Sequence, residues 1–283
     1  MIVVTGATGH LGRLVVEDLL QRVPASEIAV AVRNVEKAAD LAARGIDVRH
    51  ADYDQPQTLE RAFQGATKVL LISANEPGKR AAQHRNVIEA VKTSGAQLLV
   101  YTSILNADTS GISLAKEHLA TEELVRASGI PFVLLRNGWY LENYTENLGP
   151  ALQYGAIAGS AGTGRVAAAT RADFAAAAVE VLTGGAHENK IYELAGDTPF
   201  TLAELAAEVS RQAGKPITYN DLPPSAYRDL LLGAGLPTPI ADMLVDADLG
   251  LGRGELQNDS GDLRRLIGRP TTPLGEAVGA AMH

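Results

Sequence analysis

The feature that most constrains the fold is a glycine-spaced turn near the amino terminus. An apolar, β-branched run over residues 2–4 enters a turn in which glycine recurs at every third position, at Gly6, Gly9 and Gly12. The residues that follow place apolar side chains on one face of a 3.6-residue period, at Leu11, Leu14, Val15 and Leu19. This order predicts a strand, a tight turn and a helix.

Each glycine of this turn has a physical reason. Gly6 permits the backbone to reverse, Gly9 lets a diphosphate approach without a Cβ in the way, and Gly12 lets the helix pack close to the strand. The helix points unpaired N–H groups and the positive end of its dipole at the phosphates. An ordinary strand-to-helix turn is the alternative, but a second strand follows about twenty residues on, as the dinucleotide fingerprint requires. We therefore expect a dinucleotide site.

The end of the second strand bears on which dinucleotide binds. That strand, residues 27–32, is followed by Arg33, at the point where such a fold meets the adenosine ribose. Asp or Glu there would accept a hydrogen bond from the 2′-OH of NAD, whereas a cation suits a 2′-phosphate. Arg33 therefore favours NADPH, with NADH possible. The alternative is a solvated arginine on a loop.

A repeated pattern of helix, glycine and short apolar strand occupies the first half of the chain. Each glycine stands where the residue after a helix adopts the left-handed conformation, at Gly45, Gly65, Gly95 and Gly129. Strands that alternate with helices predict a parallel sheet with right-handed crossovers. The predicted fold is α/β, a Rossmann-type doubly wound parallel sheet with a smaller, mostly helical lobe towards the carboxyl terminus.

A change in pattern after residue 140 suggests the domain boundaries. Glycine and alanine dominate residues 149–169, residues 170–173 open an alanine-rich helix that runs through Leu182, and residues 191–194 form a last strand. We assign residues 1–140 to an NAD(P)-binding Rossmann domain, with 165–195 packing back onto it. Residues 141–164 and 196–283 form a smaller substrate-binding lobe.

Ligand-binding residues are expected at the carboxyl ends of the parallel strands. These loops contain Ser73 and Ala74 after the fourth strand, Ser103 after the fifth and residues 136–140 after the sixth. Arg171 begins a later helix, where a cation opposes the helix dipole, so a ligand or a carboxylate partner such as Asp173 is expected.

Charge and residue content exclude several classes of partner. A net charge of −8 disfavours nucleic acid and anionic membranes as partners. The chain contains no cysteine, and no two of its histidines have the i, i+4 spacing of a helical zinc site, so no metal is expected. Histidines other than His10 are expected at the surface or at helix caps. Residue 2 already enters a core strand with no leader pattern before it, which favours a cytoplasmic protein, a monomer or homodimer without a membrane span.

Four longer stretches resemble a known family. Residues 5–12, 31–34, 135–144 and 169–173 resemble the NmrA-like atypical short-chain dehydrogenase/reductases. Within these the chain is similar to the bacterial NAD(P)H:quinone oxidoreductases of the type 2 class, and next to the triphenylmethane dye reductases. With the strand-end positions, the resemblance implies cofactor contacts from Gly6, Ala7, Thr8, Gly9, His10, Leu11, Gly12, Arg33, Ser73, Ala74, Ser103, Asn137, Gly138, Trp139, Tyr140 and Arg171.

The proton donor of the standard short-chain enzymes is absent. Those enzymes place Tyr four residues before a Lys, and here Lys116 stands at the right distance after Ser103 but is preceded four residues earlier by Ile112. Reducing an ordinary ketone requires a strong, positioned acid, whereas a hydroquinone anion has a phenol-like pKa of ~10 and needs only water or a weak donor. The sequence therefore predicts two-electron hydride transfer from NADPH to a quinone, without flavin or metal.

Candidate catalytic and substrate residues follow the sixth strand. Asn143 could donate its amide N–H to a quinone oxygen, and with Lys116 it forms the catalytic candidate set. Tyr140, Asn143 and Tyr144 are the substrate candidates. Core packing of the tyrosines and helix capping by Asn143 are the alternatives. Two other functions stay open: reduction of a triarylmethane dye, and a non-catalytic NADP(H)-binding redox sensor that reports to a partner protein.

Overall fold

The computed structural model describes residues 1–76 and 78–282, which form two compact units. Unit 1 comprises Met1–Ile104, Glu117–Asn137 and Arg171–Tyr192. Unit 2 comprises Leu105–Lys116, Gly138–Thr170 and the remaining residues from Glu193 onward.

The described residues form strands and helices that largely alternate along the first half of the chain. The strands are β1 (Ile2–Thr5), β2 (Ile28–Val32), β3 (Asp47–His50), β4 (Lys68–Leu71), β5 (Leu98–Ile104), β6 (Phe132–Asn137), β7 (Ala156–Gly159), β8 (Lys190–Leu194) and β9 (Thr218–Asp221). The helices are α1 (His10–Leu19), α2 (Ala39–Ala43), α3 (Pro56–Ala62), α4 (Arg80–Ser94), α5 (Ser113–Ala127), α6 (Glu142–Thr145), α7 (Gly149–Tyr154), α8 (Arg171–Thr183), α9 (Leu202–Ala213), α10 (Pro224–Gly233), α11 (Thr238–Gly252), α12 (Asp262–Ile267) and α13 (Leu274–Ala281).

A seven-stranded sheet forms the centre of unit 1. Its strand order is β3-β2-β1-β4-β5-β6-β8, and β1 to β6 pair in parallel, with Val3 opposite both Ala29 and Val69. Every residue of β1 and β2 is buried, as expected for a sheet covered on both faces. The order reverses between β1 and β4, which is the switch point where such sheets bind ligands. The Rossmann-type prediction is confirmed.

Glycines end the connecting segments of this sheet as the sequence predicts. Gly45, Gly65, Gly95 and Gly129 have φ values of 86°, 74°, 74° and 77°. Only glycine adopts this left-handed region without a steric penalty from Cβ, so each one lets the chain turn from a helix towards the next strand.

Unit 2 has its own core and a small sheet. Strands β7 and β9 pair in parallel, with Ala156 opposite Thr218. Helix α9 starts with a capping box, in which the Thr201 hydroxyl accepts from the Glu204 backbone N–H and the Glu204 carboxylate accepts from that of Thr201. This pairing satisfies two N–H groups that would otherwise lack partners. The face of α9 that contains Leu205 is buried in the core of unit 2.

The two units differ from the predicted domains chiefly at residues 105–116, which belong to unit 2. The Asn106 amide donates to the carbonyls of Glu255 and Gln257, and both the backbone N–H and the hydroxyl of Ser113 donate to Asp246. Residues 165–170, predicted to pack on the sheet, also belong to unit 2, where Val166 exchanges backbone hydrogen bonds with Phe200.

A search of the described helices for one that is long and apolar enough to cross a membrane gives none.

Candidate active site

The glycine turn of unit 1 joins β1 to α1, and the backbone of the helix packs closely against the turn. Gly6 has a φ of +61°, and a Cβ at Gly12 would lie 2.3 Å from the Gly6 carbonyl oxygen and 2.8 Å from the Cα of Ala7. Both contacts are with backbone, which cannot rotate away as a side chain can. Gly12 therefore permits the close packing of α1 on the turn that the sequence predicts.

The start of α1 lacks a side-chain cap among the residues that the structure describes. Gly9 is the N-cap residue, and no side chain from the described part of the chain caps the helix. The first turn contains no acidic residue. Gly6, Thr8, Gly9 and His10 are exposed, whereas Ala7, Leu11 and Gly12 are buried. An exposed helix N-terminus with these properties suits a diphosphate.

Arg33 directly follows β2 and is largely exposed. Its side chain is 66% exposed, and Nη1 lies 3.2 Å from Oε1 of Glu76. The other oxygen of Glu76 lies 3.2 Å from Nζ of Lys79. The hydrogen bond from Lys79, more than any other contact, lowers the pKa of Glu76. Arg33 therefore has a charged partner that the sequence analysis missed.

The loop after β4 is fastened through its backbone. The Ser73 N–H donates to Oγ1 of Thr102 at 2.9 Å, and the Ala74 N–H donates to Nε2 of His84 at 2.9 Å. The Ala74 carbonyl accepts from Nε of Arg80 at 2.8 Å. Burial is the main cause that lowers the pKa of His84 to about 3, so its ring is neutral and can accept. Both polar backbone groups of Ala74 are thus fixed by helix α4.

Helix α5 completes this arrangement. Nδ1 of His84 lies 3.0 Å from Oγ1 of Thr121, whose hydroxyl donates to the Glu117 carbonyl. The Glu117 carboxylate accepts from the Gly78 N–H and from Nη1 of Arg80, at 2.9 and 2.8 Å. These contacts link the backbone of Ala74 and Gly78 to helices α4 and α5.

Two histidines correct the expectation that this residue type lies at the surface or at caps. His84 is fully buried, and His118 is 5% exposed with Nδ1 2.8 Å from the Tyr101 hydroxyl oxygen. For His84, the helical spacing of polar residues in the sequence is a signal that could have predicted its contacts. Arg80 and His84 are four residues apart on α4, as are Glu117 and Thr121 on α5, so each pair shares a helix face.

The ends of β5 and β6 have different polar environments. The Ser103 hydroxyl donates to the buried Glu122 carboxylate at 2.6 Å, and Nε and Nη2 of Arg136 donate to the same group at 2.9 and 2.8 Å. Asn137 is 5% exposed, and its Oδ1 finds no hydrogen-bond partner in the described part of the chain. An unpaired buried acceptor is costly, and a ligand donor would satisfy it. Together with the glycine turn and Arg33, this acceptor fits a dinucleotide.

The next predicted cofactor residues lie in unit 2. The Gly138 N–H donates to the Leu194 carbonyl at 2.7 Å, and a Cβ at Gly138 would lie 2.9 Å from that oxygen. Trp139 is half-buried and packs against the core of unit 2. Tyr140 is also half-buried and forms an isolated parallel bridge with Ala169. Close backbone packing therefore accounts for glycine at position 138.

The catalytic and substrate candidates differ in exposure. Asn143 is an exposed residue of α6, and Lys116 is an exposed residue of α5. Tyr144 packs edge-to-face on Phe200, with ring centroids 6.0 Å apart, and burial raises its pKa well above the ordinary value. This contact favours the core-packing alternative for Tyr144, whereas Asn143 remains accessible to a substrate.

Arg171 is the first residue of α8 in unit 1. It is half-buried, and Asp173 in the same helical turn is fully buried. Unit 1 therefore contains the glycine turn, Arg33, Ser73, Ala74, Ser103, Asn137 and Arg171, and unit 2 contains Gly138, Trp139, Tyr140, Asn143, Tyr144 and Lys116.

A parallel sheet with an open, glycine-spaced helix start and a cation after its second strand defines a dinucleotide-binding protein of the short-chain reductase kind. The sequence profile of the NmrA-like family matches residues 1–259, and the chain belongs to this family. The resemblance inferred from the motif residues is confirmed.

Particular relatives are similar over the whole chain. Quinone oxidoreductase 2 of Escherichia coli K12 is 52% identical over 278 residues, which cover 98% of this chain and 97% of that protein. The crystal structure of the E. coli NADPH-dependent quinone oxidoreductase complexed with NADPH matches with a TM-score of 0.98 and 51% identity, covering 100% of both chains. The triphenylmethane reductase of Citrobacter sp., complexed with NADP(H), matches with a TM-score of 0.96 and 42% identity, covering 99% of this chain and 100% of that one.

Proposed function

We propose that this protein is an NADPH-dependent quinone oxidoreductase that delivers two electrons to a quinone as a hydride. The observation that carries the proposal is the full-length likeness, at 52% identity, to a quinone oxidoreductase. The glycine turn and Arg33 support NADPH as the cofactor. This proposal replaces the alternative of a non-catalytic redox sensor.

In unit 1, the residues proposed to hold the cofactor lie in the turn before α1, after strands β2 and β4, and at the end of β6. The helix N-terminus at the start of α1 would bind the diphosphate, and Arg33 the 2′-phosphate. Ser73 and Ala74, whose backbone N–H groups donate to Thr102 and His84, would lie along the ribose and nicotinamide. Asn137 would accept from a ligand donor. Bound NADPH would supply the hydride.

The protein's own residues have two proposed roles in the reaction: stabilising charge on the quinone oxygen and supplying a proton. A quinone that accepts a hydride develops charge on its oxygen, and the Asn143 amide could donate a hydrogen bond to that oxygen. Because the resulting anion has a pKa of ~10 in water, solvent or a weak donor such as Lys116 can supply the final proton. The absence of a Tyr four residues before Lys116 is consistent with such an acceptor.

The cofactor assignment is tested with Arg33→Ala. We expect its KM for NADPH to rise about tenfold or more, because a charge-assisted bond to the 2′-phosphate is lost, while its KM for NADH stays within twofold. Arg61→Ala is the matched control, since Arg61 is an exposed arginine of α3 in the same unit. Equal losses with both cofactors would contradict the assignment.

The role of Asn143 is tested with Asn143→Ala in quinone-dependent NADPH oxidation. Loss of one donor to the developing charge should lower kcat by about tenfold or more and leave the NADPH Kd unchanged. Asn147→Ala is the control, because Asn147 is an exposed asparagine four residues further along. Unchanged quinone turnover would remove Asn143 from the mechanism.

A triarylmethane dye is the second candidate acceptor. The 42% identity to the Citrobacter triphenylmethane reductase over nearly the whole chain supports it. Steady-state rates with simple quinones and with a cationic triarylmethane dye, each with NADPH and NADH, will decide between the acceptors. A higher kcat/KM with the dye would favour this second candidate.

The setting of the enzyme is a further part of the proposal. We expect a cytoplasmic monomer or homodimer that does not bind nucleic acid, because a net charge of −8 opposes association with polyanions. Light scattering after size exclusion gives the oligomeric state.

A further inference from the structure

Arg33, which is proposed to bind the 2′-phosphate, already donates a hydrogen bond to a carboxylate. Nη1 of Arg33 donates to Oε1 of Glu76 at 3.2 Å, and Glu76 is also 3.2 Å from Lys79. Glu76 lies two residues beyond Ala74, on the loop that α4 and α5 fasten. Backbone groups before and after Glu76 in the chain, at Ala74 and Gly78, are therefore hydrogen-bonded to side chains of α4 and α5.

A carboxylate in this position acts differently on the two pyridine nucleotides. A 2′-phosphate that binds Arg33 competes for guanidinium N–H groups that Glu76 already engages, and it meets a like charge. The 2′-OH of NADH carries no charge and is a donor that a carboxylate can accept. Arg33 and Glu76 thus favour opposite cofactors.

We propose that Glu76 is a specificity-determining residue that reduces the preference of the cofactor site for NADPH over NADH. This inference rests on the proposed function, because it takes Arg33 as the residue that meets the 2′ position. The arrangement lets the site keep NADPH as its cofactor while admitting NADH.

The test measures binding rather than turnover. Calorimetric titrations with NADPH and NADH, and with adenosine 2′,5′-bisphosphate and 5′-AMP as fragments, give the affinities of wild type and Glu76→Gln. Because an exposed ion pair contributes little, we expect NADPH and the bisphosphate to bind about two- to fivefold more tightly to the variant. NADH and 5′-AMP should bind equally well or more weakly.

Two further variants make the result specific. Glu60→Gln removes the same charge from an exposed position on α3 and should leave all four affinities unchanged. In an Arg33→Ala background the effect of Glu76→Gln on the NADPH to NADH ratio should change in size, since competition for the guanidinium is gone and only the direct action of Glu76 on the 2′ position remains.

An unchanged ratio in Glu76→Gln, or weaker binding of NADPH, would overturn the inference. The second of these results would make Glu76 a residue that orients Arg33. A wild-type protein that binds both nucleotides but reduces neither quinone nor dye would refute the proposed function and leave the role of Glu76 intact.

Discussion

Replacing Gly12 by alanine tests the turn that is proposed to bind the cofactor. The new Cβ would lie 2.3 Å from the Gly6 carbonyl oxygen and 2.8 Å from the Ala7 Cα, and ordinary contact begins at 3.4 Å. The helix and the turn must therefore separate by about 1 Å, because close-packed backbone has no free space to absorb the methyl group.

Two opposing effects set the change in stability. Alanine within a helix is favoured over glycine by about 1 kcal/mol, whereas overpacking costs ~1–3 kcal/mol. We place the clash at the upper end, since both contacts are with backbone, and expect Gly12→Ala to lose about 1–2 kcal/mol of unfolding free energy. Displacing the turn by about 1 Å should weaken NADPH binding by about 10- to 100-fold.

Calorimetry with NADPH and urea denaturation measure the two effects separately. Gly233→Ala is the control, because nothing lies within 4 Å of its Cβ position at the end of α10. That variant should bind NADPH normally. If Gly12→Ala binds NADPH within twofold of wild type, the close approach of α1 to the turn is irrelevant to the cofactor, and the reasoning fails.

Two predictions concern buried carboxylates. Burial raises the pKa of Asp248 to about 6 from 3.8, so the free energy of unfolding falls as pH rises through this range. Asp248→Asn should therefore raise the free energy of unfolding by up to about 3 kcal/mol at pH 8 but not at pH 4, as measured by urea denaturation. Equal effects at both pH values would contradict this. Glu122→Gln removes a buried carboxylate that pairs with Arg136 and should cost about 3–5 kcal/mol, whereas a loss under about 1 kcal/mol would show that Gln satisfies the arginine.

Local backbone requirements explain why the sheet could be predicted. Gly45, Gly65, Gly95 and Gly129 each mark a left-handed residue after a helix or turn, and that requirement depends only on neighbours in the chain. The glycine turn is similar, because its spacing reflects contacts within seven residues. The position of Arg33 at the end of the second strand follows from its distance along the chain from this turn.

Contacts between distant residues could not be predicted in this way. The carboxylate of Glu255 accepts from Ser110 and Gly111, which places residues 105–116 in unit 2, yet no periodicity links positions more than 140 residues apart. The pairing of β7 with β9 could not be predicted either, because packing determines which strands pair when the strands are short.

The partners of the site residues depend on burial, which a single sequence does not encode. His84 accepts a hydrogen bond because the interior keeps its ring neutral, and an exposed histidine at the same position would exchange that bond with water. Glu76 meets Arg33 because the segments after β2 and β4 leave the same edge of the parallel sheet, on either side of β1. Residue types alone therefore predicted candidate cofactor residues and missed the side chains that contact them.

Each unit is assembled from three separate stretches of the chain, and this limits how such a protein can evolve. A crossover in the gene exchanges one contiguous stretch, so it would divide the elements of a unit between two parents. New acceptor chemistry in this lineage is therefore expected to arise by point substitutions rather than by transplanting either half.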